Sequence, residues 1–533
     1  MSVKNQMNGL VGKATLTREG VFFLIVALVV NVLFKAWKWD EPIETDMFTY
    51  CMGGHAFLNS KLLYFQLWDQ KPPLAHFIYG CVELLFGYGK TQIRAVNIIF
   101  SSILITECWI LIMALLQSYR DRILTMALVV LGILPNITYE VNQPNTELLI
   151  NSLLAAALLI ACLGEKNRSN ALLFGITCAL STLIKHHAVL PCGLLALFHG
   201  FLFREENPLK RFSYLFSFIA FTGCFWGLMF LYYQMTGHFV DIWQNLVMSN
   251  VTYNQNFFLT LWQIAQPQNV IFLLLALTGP WAAVFYKSGS NQERLGFLSI
   301  GLAAGCYLML AAPGKWWPHY YQLMIVPLVC SALLVLGSSA NDSKRLAQKI
   351  LRAFLIAVVA ALSLFNLWIY STLNPYEISI KKYKGPWYIE TEVMAPKINA
   401  LLEGDEWFFQ WGQDIGLYVY TNRWPRTRLN SYFPFIVGKV QDFVYPVFFH
   451  DVGVSPPDMV VFPHPQVGMI GPNIRDPILD WISTNYFPIP NDKDSAPYIL
   501  CARIGSKLDK RLPEAYSRKP LKGYFVESAE PAR

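Results

Sequence analysis

Charge is scarce in this sequence. Asp, Glu, Lys and Arg make up 14% of the 533 residues, against roughly 25% in an ordinary soluble domain. The apolar fraction is 54%. On a soluble fold that balance would leave large apolar patches in water, whereas lipid-facing helices absorb it. Internal repeats and low-complexity tracts are also lacking, which weighs against a transporter built from duplicated halves. Paired cysteine spacing is missing. Cys108, Cys162, Cys178, Cys192, Cys224, Cys306 and Cys330 fall inside apolar runs and read as small buried hydrophobes. Only Cys51, Cys81 and Cys501 lie outside the clear spans; a Cys51–Cys81 bridge is conceivable and not expected. No small-residue cleavage site follows the first apolar run, "VFFLIVALVVNVLFKAW". That run therefore reads as a signal anchor and first transmembrane helix. The net charge of +7 does not call for nucleic acid, because in a membrane chain the position of the cations decides their meaning.

What is present is a series of long apolar runs. A helix needs about 20 mostly apolar residues to cross the bilayer core. Such spans are expected at about 21–38, 95–116, 123–138, 148–163, 170–184, 188–203, 212–233, 269–286, 295–312, 319–337 and 352–371. The count is eleven, so the two termini lie on opposite sides. With the N-terminus cytoplasmic, Lys4, Lys13 and Arg18 fall inside, as do Arg120, Arg122, Lys166, Arg168, Arg204, Lys210, Arg211, Lys287, Arg294, Lys344, Arg345 and Lys349. The outer connections hold almost no cations, apart from the first, which is long (residues 39–94). Two domains are expected: 1–373 in the membrane, and 374–533 outside it. The second is rich in charge, proline and aromatics. Its strand-like runs "EWFFQWG", "PDMVVFPHP" and "PYILCARI" and its helical run "RDPILDWISTNYF" predict a small α/β domain. The stretch before residue 18 is polar and is expected to be loose.

Ionisable groups gather at the outer mouths of the spans, where a bilayer penalises them unless they face water or a cavity. Asp46 follows span one. Asp69, Gln70 and Lys71 stand in "WDQKPPLAHF"; Glu140 and Glu147 precede span four; Lys185, His186 and His187 separate spans five and six; Lys315 and His319 stand in "PGKWWPHYY". Each has an ordinary reading. A lone Asp after a span is usually solvated, a Lys near a helix end snorkels to headgroups, and Trp316, Trp317, Tyr320 and Tyr321 form an interfacial belt. The adjacent His186 and His187 cannot face one way on a helix, so two metal ligands are not expected from them. As a set, acids and isolated cations at one membrane face suit a lipid-linked phosphate, with a carboxylate to take a proton from an incoming nucleophile.

Four stretches carry a family resemblance: "ETDMFTY"; "WDQKPPLAHFIYGCVELLFGYG" followed by "RAVNIIFSS"; "PHYYQLMIVPL"; and "FQWGQDIGLYVYTNRWPRTRLNSYF". In order and spacing they resemble the GT-C membrane glycosyltransferases, in the bacterial branch related to protein O-mannosyltransferases and lipid A aminoarabinose transferases. The resemblance implies an α-helical polytopic membrane protein of the GT-C fold, with about eleven transmembrane helices and a small C-terminal α/β extracytoplasmic domain. It implies inverting transfer of a sugar from a polyprenyl-phosphate donor to a lipid, glycan or protein acceptor at the outer face of the cell's inner membrane. Carried over, Asp46 is the catalytic residue, acting as base or orienting the acceptor, with Glu147 near the second acidic position on the acceptor side. Lys71, Lys185 and Lys315 are the cations for the donor phosphate. Tyr50, Asp69, Gln70, His319 and Tyr320 contact substrate. The chain departs from the family at Met47, where relatives commonly have Glu, and at Thr49, where some have Arg. Without an adjacent acid, Asp46 alone is a poor divalent-ion site. No metal ligands and no required cofactor are therefore expected, and divalent-metal dependence stays open. Membrane lipid is an expected partner and nucleic acid is not. The alternatives are a lipid or glycolipid flippase, a ligase or oligosaccharide transferase using a diphosphate-linked glycan, and a non-catalytic scaffold.

Overall fold

The computed structural model describes residues 17–136, 140–202, 207–253, 266–283, 290–337, 345–383, 385, 387–436, 440–463, 476–490 and 498–521. The stretch before residue 17, with Lys4 and Lys13, lies outside these, as do Arg204, Lys287 and Lys344. Among the described residues, helical stretches fall on all eleven expected spans. They are α1 (Arg18–Trp37), Lys90–Leu115, Tyr119–Ala127 continued by the π-helical turn Leu128–Ile133, Thr146–Leu163, Arg168–Ile184, Val189–Leu202, Ser213–Met235, Pro267–Ala283, Asn291–Ala311, Ile325–Gly337 and Arg345–Thr372. Seven are long and apolar enough, by length and composition, to cross a bilayer. The helix Arg168–Ile184 and the stretch His186–Leu202 are apolar but shorter. Local chemistry sets several starts. Thr17 Oγ1 accepts from Gly20 N at 3.1 Å, Asn167 Oδ1 from Asn170 N at 2.9 Å, and Ser290 Oγ from Glu293 N at 3.2 Å, each satisfying a first-turn N–H that has no helical acceptor.

The long first loop is itself helical. It folds into α2 (Thr45–Leu58) and α3 (Leu74–Phe86). Pro73 caps α3 at a φ of −75°, the value its ring prefers. The two helices touch backbone to backbone: a Cβ on Gly54 would lie 2.5 Å from Gly80 N, and one on Gly53 would lie 2.1 Å from His76 Nδ1. Only residues without a side chain allow that approach, and it brings the start of α2 beside the stretch that precedes α3.

Beyond the last span, two helices (Pro375–Tyr383 and Trp387–Leu401) lead into a four-stranded sheet. Its strands are β1 (Phe408–Gln410), β2 (Met459–Pro463), β3 (Tyr486–Pro488) and β4 (Tyr498–Arg503), in the order β1-β2-β4-β3. β1 and β2 run parallel, with Phe408 opposite Met459; the other pairs are antiparallel. The three strand-like runs supply β1, β2 and β4. The helical run stops at Asn485, and its last aromatic residues enter β3. Side chains of both parts share one apolar core, in which Phe48 and Tyr79 of the loop helices join Phe408 and Leu417. Trp68 of the first loop sits in a second core with Trp407, Phe409 and Phe448. Its N–H donates to Arg428 O at 2.8 Å. The cysteines are free thiols; Cys51 Sγ donates to Gln92 Oε1 at 2.9 Å, and Cys81 is exposed.

Candidate active site

A cavity of about 440 Å³ opens where α2, the 68–71 stretch and the outer domain meet. Glu44, Asp46, Asp69, Gln70 and Lys71 line one side. Glu140, His319 and Tyr320 line another, and Lys382, Tyr388, Gln413 and Asn430 form the roof. Asp46 stands in the first turn of α2, where exposed backbone N–H groups favour a carboxylate. Its Oδ2 is 3.7 Å from Lys71 Nζ and accepts from Tyr50 OH at 3.5 Å. Asp46 is about one-third exposed and Lys71 12%, so the pair faces the cavity.

The 68–71 stretch is fixed from several directions. Asp69 Oδ2 pairs with His76 at 2.8 Å, and Asp69 Oδ1 accepts from Lys71 N at 3.2 Å. Tyr64 OH donates to Lys71 O at 2.7 Å. Asn245, on the π-helical turn Trp243–Met248, accepts from Asp69 N at 3.2 Å. Asn250 Nδ2 donates to Gln70 O at 2.8 Å. These bonds fix the backbone from which the Lys71 side chain reaches Asp46 and the cavity.

Behind the cavity a hollow of about 30 Å³ is lined by Gln70, Lys71, Lys185, His186, His187, Asn250 and Tyr320. Lys185 donates to Glu147 Oε1 and sits 4.0 Å over the Tyr320 ring. Both partners of that ion pair are almost fully buried. Burial pulls the Lys185 ammonium below its usual range, and Glu147 opposes that shift.

Glu44 and Glu140 approach His319 from opposite sides. His319 Nδ1 is 3.8 Å from Glu44 Oε2 and 3.4 Å from Glu140 Oε2. Burial, with the Glu140 charge adding, raises the Glu44 carboxyl to about 8. Burial acts to raise Glu140 too, but His319 and Lys382 outweigh it and hold its carboxyl below the ordinary range. Glu140 adopts a left-handed backbone, with a φ of 54°. Its carbonyl accepts from Gln143 N at 2.8 Å and Gln322 Nε2 at 3.0 Å, which holds that unfavourable conformation.

Of the residues singled out in the sequence, Asp46, Asp69, Gln70, Lys71, His319 and Tyr320 line the main cavity. Tyr50 is buried behind Asp46. Lys185 lines the rear hollow, and Glu147 is buried as its partner. Lys315 is exposed and lines neither space. Glu44, His76, Asn245, Asn250, Lys382, Gln413 and Asn430 were not singled out. Glu44 had a usable signal, since it stands two residues before Asp46 in the quoted motif. Lys382 had none: it reaches the site by pairing with Glu41, 2.9 Å away and 341 residues earlier.

No protein-family model and no curated protein matches the sequence. Among solved structures, ArnT from Cupriavidus metallidurans bound to undecaprenyl phosphate aligns with a TM-score of 0.54 and 13% identity, over 91% of this chain and 98% of that one. Its apo form gives 0.54 and 12%, over 90% and 97%. AglB, an archaeal oligosaccharyltransferase from Archaeoglobus fulgidus in complex with an inhibitory peptide and a dolichol-phosphate, gives 0.48 and 12%, over 94% and 76%. The ArnT likeness shows the fold. The chain is a multi-pass membrane protein with that fold, carrying a small α/β domain after its last span.

Proposed function

We propose that this chain is an integral-membrane inverting glycosyltransferase, taking a sugar from a polyprenyl-phosphate donor and passing it to a lipid, glycan or protein acceptor on the outer face of the inner membrane. The observation that carries the reading is the Asp46–Lys71 pair, 3.7 Å apart on the wall of one cavity. A carboxylate to take a proton and an ammonium to hold a departing phosphate are the two groups this reaction needs. ArnT binds undecaprenyl phosphate on the same fold, which supports a lipid phosphate as the donor's leaving group.

In this reading the donor phosphate lies against Lys71, with Lys185 in the adjoining hollow. The acceptor enters beneath Gln413 and Asn430. Asp46 accepts the proton from the acceptor hydroxyl or amine as that atom bonds to the anomeric carbon. The bond from that carbon to the phosphate oxygen breaks, and the electron pair leaves with the polyprenyl phosphate. Lys71 offsets the growing phosphate charge. A partly exposed ion pair is worth only about 0–1 kcal/mol, so donor binding can draw Lys71 away and free Asp46 as the base. Asp69 acts through the hydrogen bond it accepts from the Lys71 backbone and its 2.8 Å contact with His76, and Gln70 faces the sugar. The cation asymmetry of the sequence supports an N-terminus in the cytoplasm and a sheet domain outside.

The test is mass spectrometry of envelope glycolipids and glycoproteins from cells carrying wild-type protein, Asp46→Asn or Lys71→Ala. Loss of a general base costs about 10²- to 10⁴-fold, and loss of a preorganised cation about 10²- to 10³-fold. A modified product should therefore disappear in both variants at equal protein level. Turnover near wild type in Asp46→Asn overturns the assignment.

A further inference from the structure

The 68–71 stretch is also held by a segment that takes no part in the chemistry just described. This segment is a short helix (Phe239–Ile242), the π-helical turn Trp243–Met248 and a further helical turn (Ser249–Tyr253). In an α-helix, residues five apart stand about 140° apart around the axis; the wider π turn brings such residues back towards one face. Asn245 and Asn250 both work from that face, one on Asp69 N and the other on Gln70 O. The fully buried Asn245 side chain also donates to Asp241 O at 2.8 Å and Tyr64 O at 3.4 Å. The segment thus splints the backbone that carries Lys71.

One residue of the outer domain grips that splint. Arg428 Nη1 donates to Asp241 Oδ1 at 3.4 Å. Its Nε and Nη2 fork onto Asp451 of the helix Gln441–Val454, at 3.3 and 3.4 Å, and its backbone N–H donates to the same carboxylate at 3.1 Å. Its carbonyl accepts from Trp68 N at 2.8 Å. The guanidinium carbon lies 4.8 Å over the Phe65 ring, and His238, paired with Asp241 at 3.0 Å, lies 3.9 Å from that ring. The Arg428, Asp241 and Asp451 side chains are largely shielded from water, and none of them lines the main cavity or the rear hollow. Only a planar fork holds two carboxylates from two elements in this way; an ammonium is a point charge. We propose that Arg428 is a positioning residue for Lys71. By holding Asp241 and Asp451 together and accepting from Trp68, it sets the place from which the lysine meets a lipid-linked phosphate. The outer domain then governs donor affinity without touching the donor. The inference rests on the transfer reading above for the identity of that ligand.

The test compares full-length wild type, Arg428→Gln and Asp241→Ala in lipid nanodiscs, with two readouts. Hydrogen–deuterium exchange follows the amides of Trp68, Asp69 and Lys71, which should exchange faster in both variants. Native mass spectrometry follows binding of undecaprenyl phosphate, which should weaken in both variants by on the order of tenfold. The pair of variants separates position from charge. Arg428→Gln removes a cation and Asp241→Ala removes an anion, so charge steering alone would shift affinity for an anionic lipid in opposite directions. Opposite shifts therefore overturn the positioning role. So do amides that exchange as in wild type, or variants that melt lower yet bind undecaprenyl phosphate as tightly as wild type; both results leave the transfer reading in place. If wild type takes up no undecaprenyl phosphate while the amides quicken in both variants, the donor reading fails and the hold of Arg428 on the Lys71 backbone stands.

Discussion

The Lys185–Glu147 pair should behave quite differently from the Asp46–Lys71 pair, and burial is the reason. The Lys185 and Glu147 side chains are 5% and 1% exposed. Removing one member of such a pair strands the other charge away from water, at a cost of about 3–5 kcal/mol. Lys185 also forfeits its place over the Tyr320 ring, worth about 0.5–2 kcal/mol. Lys185→Met should therefore destabilise the protein by about 3–5 kcal/mol, and Glu147→Leu by a similar amount. The double variant leaves no stranded charge and should recover most of the loss, because an apolar pair can replace a buried ion pair at little cost. At roughly 2 °C per kcal/mol for a large chain, each single variant should melt on the order of 5–10 °C below wild type, with the double variant close to it. Tryptophan fluorescence of the four proteins in lipid nanodiscs during heating gives the complete cycle. If Lys185→Met melts with wild type and loses only polyprenyl-phosphate binding, Lys185 is a ligand cation alone and the structural part of this argument is wrong.

Three other perturbations have definite expected outcomes. Gly54→Ala pushes a methyl to within 2.5 Å of Gly80 N, a backbone atom that cannot turn aside; a loss of about 1–3 kcal/mol, seen as a lower melting temperature, should accompany reduced transfer. Burial raises the Asp414 carboxyl to about 6 from an ordinary 3.8, so the folded state holds its proton over a range where the unfolded chain has lost it. That contribution is complete below about pH 4 and is lost as pH rises through 6, at about 3 kcal/mol in all; Asp414→Asn, which can still accept from Tyr498 and Thr391, should flatten the pH–stability curve between 4 and 7 and melt higher at neutral pH. Asn250→Leu removes the 2.8 Å bond to Gln70 O and should weaken binding of a polyprenyl phosphate, measured by native mass spectrometry, several-fold more than it lowers the melting temperature; unchanged binding would remove Asn250 from the positioning of Lys71.

The membrane part was legible because apolar runs report directly on lipid contact, and all eleven expected spans carry helix. The strands of the outer domain were legible from short β-branched and aromatic runs, except β3, which directly follows the helix Pro477–Asn485 and reads as its continuation. Asp46 and Lys71 were found through motifs, and the structure brings them together. Side-chain pairing was harder to read. Asp69 looked like a group aimed at substrate, but one oxygen lies against His76 on the next helix and the other accepts from the Lys71 backbone. Glu147 looked like the second acid of the cavity, but that wall carries Glu140, while Glu147 turns inward to Lys185. The difference lies in a single helix start: Thr146 and Glu147 begin a buried helix, and Glu140 remains in the loop before it. Such outcomes depend on how neighbouring segments pack, across 7 residues for Asp69 and His76 and 38 for Glu147 and Lys185, and hydropathy carries no trace of them.

The placement of Trp68 bears on how freely this protein could acquire new acceptors. Trp68 stands three residues before the lysine proposed to hold the donor; its indole lies in the same apolar cluster as the sheet's aromatic residues, and its amide is tied to Arg428. Grafting residues 374–533 from a distant homologue would replace the far side of that cluster and tilt the donor lysine with it. If the proposed transfer holds, inherited change in acceptor choice is confined to the rim around Gln413 and Asn430, or requires the first loop and the terminal domain to diverge as one unit.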